Sequence, residues 1–155
     1  MWPAAPQVES GDAAELDAFI AERLDAFNVA ATGLADALPL HAQIRDPSGA
    51  ILGAISGHTW GGCCEVALLW VHEDQRQRGI GRALVQALEA EAARRGCALV
   101  TLSTHTFQAP GFYTKLGYQQ VATIPDYPQG HAKLHYIKRL AARPGGHSAA
   151  TLSRK

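Results

Sequence analysis

The chain has 155 residues, 47% hydrophobic and 18% charged, with 14 basic and 14 acidic side chains. That length fits one domain with a sizeable core, and the composition excludes wholesale disorder. The cancelled charge argues against nucleic-acid or anionic-membrane partners, and no stretch approaches the roughly 20 apolar residues of a membrane helix.

The opening MWPAAPQVES lacks a basic region followed by an apolar run, so no signal peptide is expected and the chain reads as cytoplasmic. A short strand is predicted around Gln7 to Glu9. Ser10 and Asp12 are both N-cap candidates for a helix over about 12–30. Leu16, Phe19, Ile20, Leu24 and Phe27 recur there at three- and four-residue steps and make one apolar face, and Gly33 ends it.

LHAQIRD (40–46) and AILGAISGHTW (50–60) read as strands joined by a Pro47-Ser48-Gly49 turn. Gly61-Gly62 turns the chain into CCEVALLWV (63–71), whose almost unbroken apolar run predicts a strand covered on both faces. A helix follows from about Gly79 to Arg95, with Ile80, Leu84, Leu88 and Ala92 on one face, Arg94-Arg95 at its negative end and Gly96 as stop. CALVTLSTH (97–105) is another buried strand. A short helix spans about Ala109 to Leu116, with Pro110 in its first turn and Gly117 as cap. YQQVATI (118–124) and LHYIKRL (134–140) are the last strands, linked by PDYPQGHA. From Arg143 the chain is rich in Gly, Ser and Ala and is expected to be a disordered tail, leaving one domain over 1–142.

This order predicts an α/β (α+β) fold, a mixed sheet with helices on both faces and a parallel, right-handed crossover from 63–71 to 97–105. Cys63, Cys64 and Cys97 form no C-x-x-C pair and read as small apolar residues of a reducing compartment. The seven histidines show no ligand spacing, so no metal is expected.

The stretch HEDQRQRGIGR (72–82) is the informative one. Glycine costs a helix about 1 kcal/mol relative to alanine, yet Gly79 and Gly81 stand at a helix start among Arg76, Arg78 and Arg82. A helix N-terminus has unpaired N–H groups and a partial positive charge, so these residues suit a phosphate or pyrophosphate cradle. The other reading is a tight turn with solvated arginines. The P-loop pattern is absent, and Leu84 occupies the third glycine's place of a dinucleotide fingerprint.

Read as R-x-x-G-x-G after a buried strand, Arg76 to Gly81 resembles the signature of the GNAT superfamily of N-acetyltransferases. QAPGFYTKLGY (108–118) resembles that family's second motif, A-x-x-F-Y-x-K-x-G-[FY], in the expected order and one strand away. The resemblance covers roughly residues 5 to 140. It implies a mostly antiparallel sheet with a splayed parallel strand pair, and acetyl-CoA as co-substrate. By it, backbone N–H groups from Gln77 through Arg78, Gly79, Ile80 and Gly81 to Arg82 hold the pyrophosphate, with Arg76 adding charge. The main chain of Leu69, Trp70 and Val71 pairs with the pantetheine arm, a backbone N–H near Val71 serves the oxyanion, and Tyr113 protonates the departing thiolate. Thr106 stands where many members carry an asparagine that contacts pantetheine.

Amine acetylation also needs a neutral nucleophile. Glu65 and His105 are the candidate bases; His72 reads as a loop residue and His131 as part of a loop over the acceptor pocket. That pocket is expected between the first helix, His58 to Trp60 and DYPQGHA, with Trp60, Tyr127 and His131 facing a small amine. A metabolite or antibiotic amine is the expected acceptor, with a protein acetyltransferase or a non-catalytic acyl-CoA-binding module as alternatives. A homodimer is also expected from the resemblance.

Overall fold

A computed structural model describes residues 11–141. The expected strand at Gln7 to Glu9, the Ser10 cap and the tail from Arg143 lie outside the described residues. The described residues fall into two compact units, 11–35 and 36–141.

The first unit holds helix α1 (Ala13–Thr32). Asp12 caps it, its Oδ1 accepting from the N–H groups of Ala14 at 3.0 Å and Glu15 at 3.1 Å. Gly33 ends it in the left-handed conformation and donates to the Val29 carbonyl.

The second unit is a six-stranded sheet with two helices. Its strands are β1 (Leu38–Arg45), β2 (Ile51–Trp60), β3 (Cys63–Val71), β4 (Leu99–His105), β5 (Gln119–Pro125) and β6 (Ala132–Arg139), in the spatial order β1-β2-β3-β4-β6-β5. Helix α2 (Ile80–Arg94) links β3 to β4, and α3 (Pro110–Lys115) links β4 to β5. All pairings are antiparallel except β3 with β4, the crossover expected from the sequence. The β1–β2 turn is organised by Asp46, whose Oδ1 accepts from Ser48 N, Ser48 Oγ and Ala50 N at 2.6–3.0 Å.

One sheet face carries the core. Leu40, Ile55, Cys64, Val66, Val100, Leu102, Leu134 and Tyr136 point to it, and α2 seals it with Leu84, Val85, Leu88 and Ala92. Period-two registers place all of these strand residues on the same side. The α3 helix lies on that side too, because Tyr113 packs on Tyr136 and Tyr118 while Tyr118 bonds α2 through Glu89. Within this unit α2 and α3 therefore share one face of the sheet.

The apolar run of β3 has a different cause from the expected double coverage. Cys64 and Val66 are buried, but Leu68 is 73% exposed and Trp70 is 50% exposed. A bulge explains the change. Gly57 pairs with Val66 and Ser56 with Leu68, so Ala67 is an extra residue in β3. Gly57 is needed there, since a Cβ would strike the Glu65 carbonyl oxygen. Beyond the bulge β3 leaves β4 and lines a cleft.

Candidate active site

Pairing of β3 with β4 covers only Cys63 to Val66 against Leu99 to Leu102. From Ala67 onward the strands diverge, and the backbone groups turned toward the gap lack a strand partner. Period two decides which these are. The His72 N–H donates to Leu52 O at 2.8 Å, so Trp70, opposite Ala54, also turns its main chain toward β2. Leu69 and Val71 face the gap. The three expected pantetheine contacts thus divide: the Leu69 and Val71 peptides face the gap, whereas the Trp70 peptide turns to β2 and the residue also lines the cleft.

The gap opens into a cleft of about 1110 Å³ between β3, β4 and the N-terminal ends of α2 and α3. At one end the chain turns from a single 3₁₀ turn, Glu73–Gln75, into α2. Gln77 and Gly79 have left-handed φ of 61° and 82°. The N–H groups of Gln77, Arg78 and Gly79, and of Ile80, Gly81 and Arg82 in the first helical turn, have no acceptor among the described residues. Alternating left-handed residues followed by a helix start form a concave nest of donors at a positive helix end, which suits an anion with several oxygens. No side chain caps α2, so nothing in the described chain competes for that position.

The two glycines serve separate ends. Gly79 is required by its φ, with open space around it. Gly81 is favoured by contact: a Cβ would lie 3.2 Å from Phe112 Cζ, so the ring would have to give way, and 3.6 Å from Val71 Cγ2. Arg76, Arg82 and Lys115 line the cleft and add positive charge, and Arg76 Nε also reaches Val71 O at 3.4 Å. Arg78 and Ile80 contribute backbone but do not line the cleft.

Tyr113 lies on α3 between Phe112, Tyr118 and Tyr136 and is 9% exposed. Its hydroxyl has no hydrogen-bond partner among the described residues, and no side-chain oxygen there is both buried and unpaired. The hydroxyl therefore opens on the cleft that Tyr113 lines. Burial pushes its pKa above the ordinary phenol value, keeping it a proton donor at neutral pH.

The remaining expected residues are distributed differently. Thr106 is used by the fold: its Oγ1 accepts from Ala132 N at 3.1 Å and its N–H donates to Ala132 O. Glu65 precedes the bulge on the outer face and pairs with exposed His58 at 3.9 Å. His105 ends β4, its ring stacked between Phe107 and Tyr127. His72 Nδ1 accepts from the Asp74 N–H and caps the 3₁₀ turn. His131 packs edge-on against Phe107. Trp60 ends β2, pairs with Cys63 and does not line the cleft. Sequence reasoning missed Gln75, Phe107, Gln108 and Lys115 as cleft residues. Gln108 and Lys115 lie inside the second motif, so only its wider lining role went unread.

A splayed β3–β4 pair, an N–H nest at the α2 start and a phenol in the wall define an acyl-CoA-handling transferase. A family model described as an acetyltransferase (GNAT) domain matches residues 40–120. Blasticidin-S acetyltransferase of Streptomyces morookaense is 40% identical over 93 residues, 59% of this chain and 68% of that protein. An acetyltransferase of Agrobacterium fabrum is 31% identical over 126 residues, 81% of this chain and 92% of that protein. Among solved structures, an acetyltransferase from Bacillus cereus superposes with TM-score 0.77 at 28% identity, covering 87% of this chain and 98% of the other. The chain belongs to the GNAT acetyltransferase family and is an acetyl-CoA-dependent acyltransferase.

Proposed function

We propose that this enzyme moves an acetyl group from acetyl-CoA to a primary amine of a small molecule, by direct attack while both substrates are bound. The observation that carries the reading is the Tyr113 hydroxyl opening on the same cleft as the α2 nest and the gap-facing backbone of β3. The nest from Gln77 to Arg82 holds the pyrophosphate, and the peptides of Leu69 and Val71 pair with the pantetheine arm as a neighbouring strand would. A gap-facing N–H of β3 stabilises the oxyanion as the carbonyl becomes tetrahedral, a fixed dipole in a partly dry site. Tyr113 then gives its proton to the sulfur.

A small acceptor is supported by the antibiotic in the name of the Streptomyces relative. Titration calorimetry with acetyl-CoA, followed by a free-thiol assay over a panel of amines, tests the reading. Binding in the micromolar range and amine-dependent thiol release are expected. Binding without thiol release from any amine would reduce the protein to an acyl-CoA-binding module and overturn the proposal.

A further inference from the structure

The cleft passes through the sheet. Val66, Leu102 and Thr104 line it from the α2 face, whereas Leu68 and Ser103 line it from the opposite face. His105, two residues beyond Ser103 on that opposite face, lies past the point where β3 and β4 part and is flanked by the cleft residues Thr104 and Phe107. Phe107, stacked on the His105 ring, lines the cleft itself.

Gln108 holds this histidine. Its side-chain Oε1 accepts from the His105 backbone N–H at 2.9 Å and from Thr104 Oγ1 at 2.9 Å, and lies 3.3 Å from His105 Nδ1. The backbone N–H can only donate, so the amide atom facing it is the oxygen rather than the nitrogen. An oxygen can only accept, so the third contact is attractive only when His105 Nδ1 carries the proton. That leaves Nε2 with its lone pair free. The ring cannot swing away easily: its centroid is 5.2 Å from Phe107 at an interplanar angle of 15° and 5.8 Å from Tyr127 at 5°.

From this geometry we infer that His105 is the general base for the acceptor amine, acting through Nε2, and that Gln108 is the positioning residue that sets its tautomer. The inference rests on the acetyltransfer reading above. Glu65, the other candidate, precedes the bulge, where β3 and β4 are still paired, and its carboxylate faces His58.

The proton balance closes on this chain's own groups. His105 takes one proton from the incoming ammonium and returns it to solvent. The neutral nitrogen forms the C–N bond, and the C–S bond breaks with its electron pair on sulfur. Sulfur takes the Tyr113 proton, and the nitrogen's surplus proton restores the phenol. Charged and titratable groups facing His105 are Lys133, its cross-strand partner; His135, beside Ser103; Tyr127, stacked on it; and His131, against Phe107. Lys133 Nζ lies over the Tyr127 ring, 5.1 Å from its centroid.

Two measurements on the full chain test the assignment. Nitrogen-15 spectra of the imidazoles read the tautomer without any acceptor: a proton on Nδ1 of His105 is expected in the wild type, lost as a fixed preference in Gln108→Leu. A wild-type proton fixed on Nε2 overturns the inference. With an amine that the wild type acetylates, His105→Asn should lower kcat about 10²–10⁴-fold. It should also erase an acid limb of kcat that does not move with the basicity of the amine. Gln108→Glu should shift that limb to higher pH, because a carboxylate beside Nδ1 favours imidazolium. An acid limb that survives His105→Asn, or turnover within threefold of wild type, sinks the inference alone. A panel with no acetylated amine sinks it together with the parent reading.

Discussion

The Phe112 ring occupies the space that a side chain on Gly81 would need, with Cζ 3.2 Å from the position of its Cβ. The first turn of α2 thus meets α3 through the Phe112 ring alone, with no side chain from Gly81 between them. Gly81→Val should push Phe112 aside and weaken acetyl-CoA binding by about 1–3 kcal/mol, through lost N–H contacts. Gly79→Ala should act differently: the space is open, but a φ of 82° strains any side chain, by about 1–2 kcal/mol. Calorimetric affinity and melting temperature separate the two. Unchanged affinity in a folded Gly81→Val variant would falsify the cradle.

Tyr113→Phe keeps the ring among Phe112, Tyr118 and Tyr136 and removes only the hydroxyl. Turnover should fall about 10²–10⁴-fold, the usual contribution of a positioned general acid. Acetyl-CoA affinity should barely change. The sign of the pH effect follows from the burial that raises the phenol pKa. The neutral form is favoured in the fold, so its contribution to stability is complete below about pH 10 and is lost as pH rises through the higher folded value. Alkaline melting curves should therefore fall less steeply for the phenylalanine variant. A turnover change under threefold would show that another group protonates the thiolate.

Glu89 on α2 joins β6 and the residue preceding β5 through one carboxylate. It accepts from Lys138 Nζ of β6 at 2.8 and 2.9 Å and from the Tyr118 hydroxyl at 2.9 Å. The pair is largely covered, with side-chain exposures of 13% and 26%. Glu89→Leu strands Lys138 and the phenol without an acceptor and should cost about 1–3 kcal/mol of unfolding free energy. The double variant with Lys138→Met should recover part of that loss, because the uncompensated charge goes too. Urea unfolding of the four proteins of the cycle measures it, and purely additive effects would show that the pair does not interact.

Glu91 near the end of α2 is bonded by Arg94 and Arg95, which hold its carboxyl down to about 2. A depressed folded pKa stabilises the fold above the ordinary carboxylate value, and this contribution disappears as pH falls toward 2. Between pH 5 and 8 it adds no slope. Melting temperatures of wild type and Glu91→Gln should thus differ by a constant amount at neutral pH and converge in acid. A gap that persists at pH 2 would mean that the glutamate acts through packing alone. Arg95 also donates to Pro39 O and Thr59 Oγ1 at 3.1 Å, so the same cluster pins α2 to β1 and β2.

Period and punctuation made most of the elements legible. Gly33, Gly96 and Gly117 mark helix ends because left-handed backbone strains any other residue, and Leu84, Leu88 and Ala92 mark the buried face because 3.6-residue spacing aligns them. The R-x-x-G-x-G stretch and the F-Y-x-K segment were readable for the same local reason: a cradle and a short helix are built from consecutive residues. What the chain could not announce is anything that depends on one strand's neighbour. The bulge at Ala67 inverts which β3 peptides face the gap, so Leu69 and Val71 turn toward it while Trp70 does not. Thr106 Oγ1 accepts from Ala132 N, 26 residues on in the chain, and Gln108 turns its oxygen to His105. Local chemistry is written in adjacent residues; the direction of a peptide group and the tautomer of a histidine are set by contacts across the fold, which only the packed sheet decides.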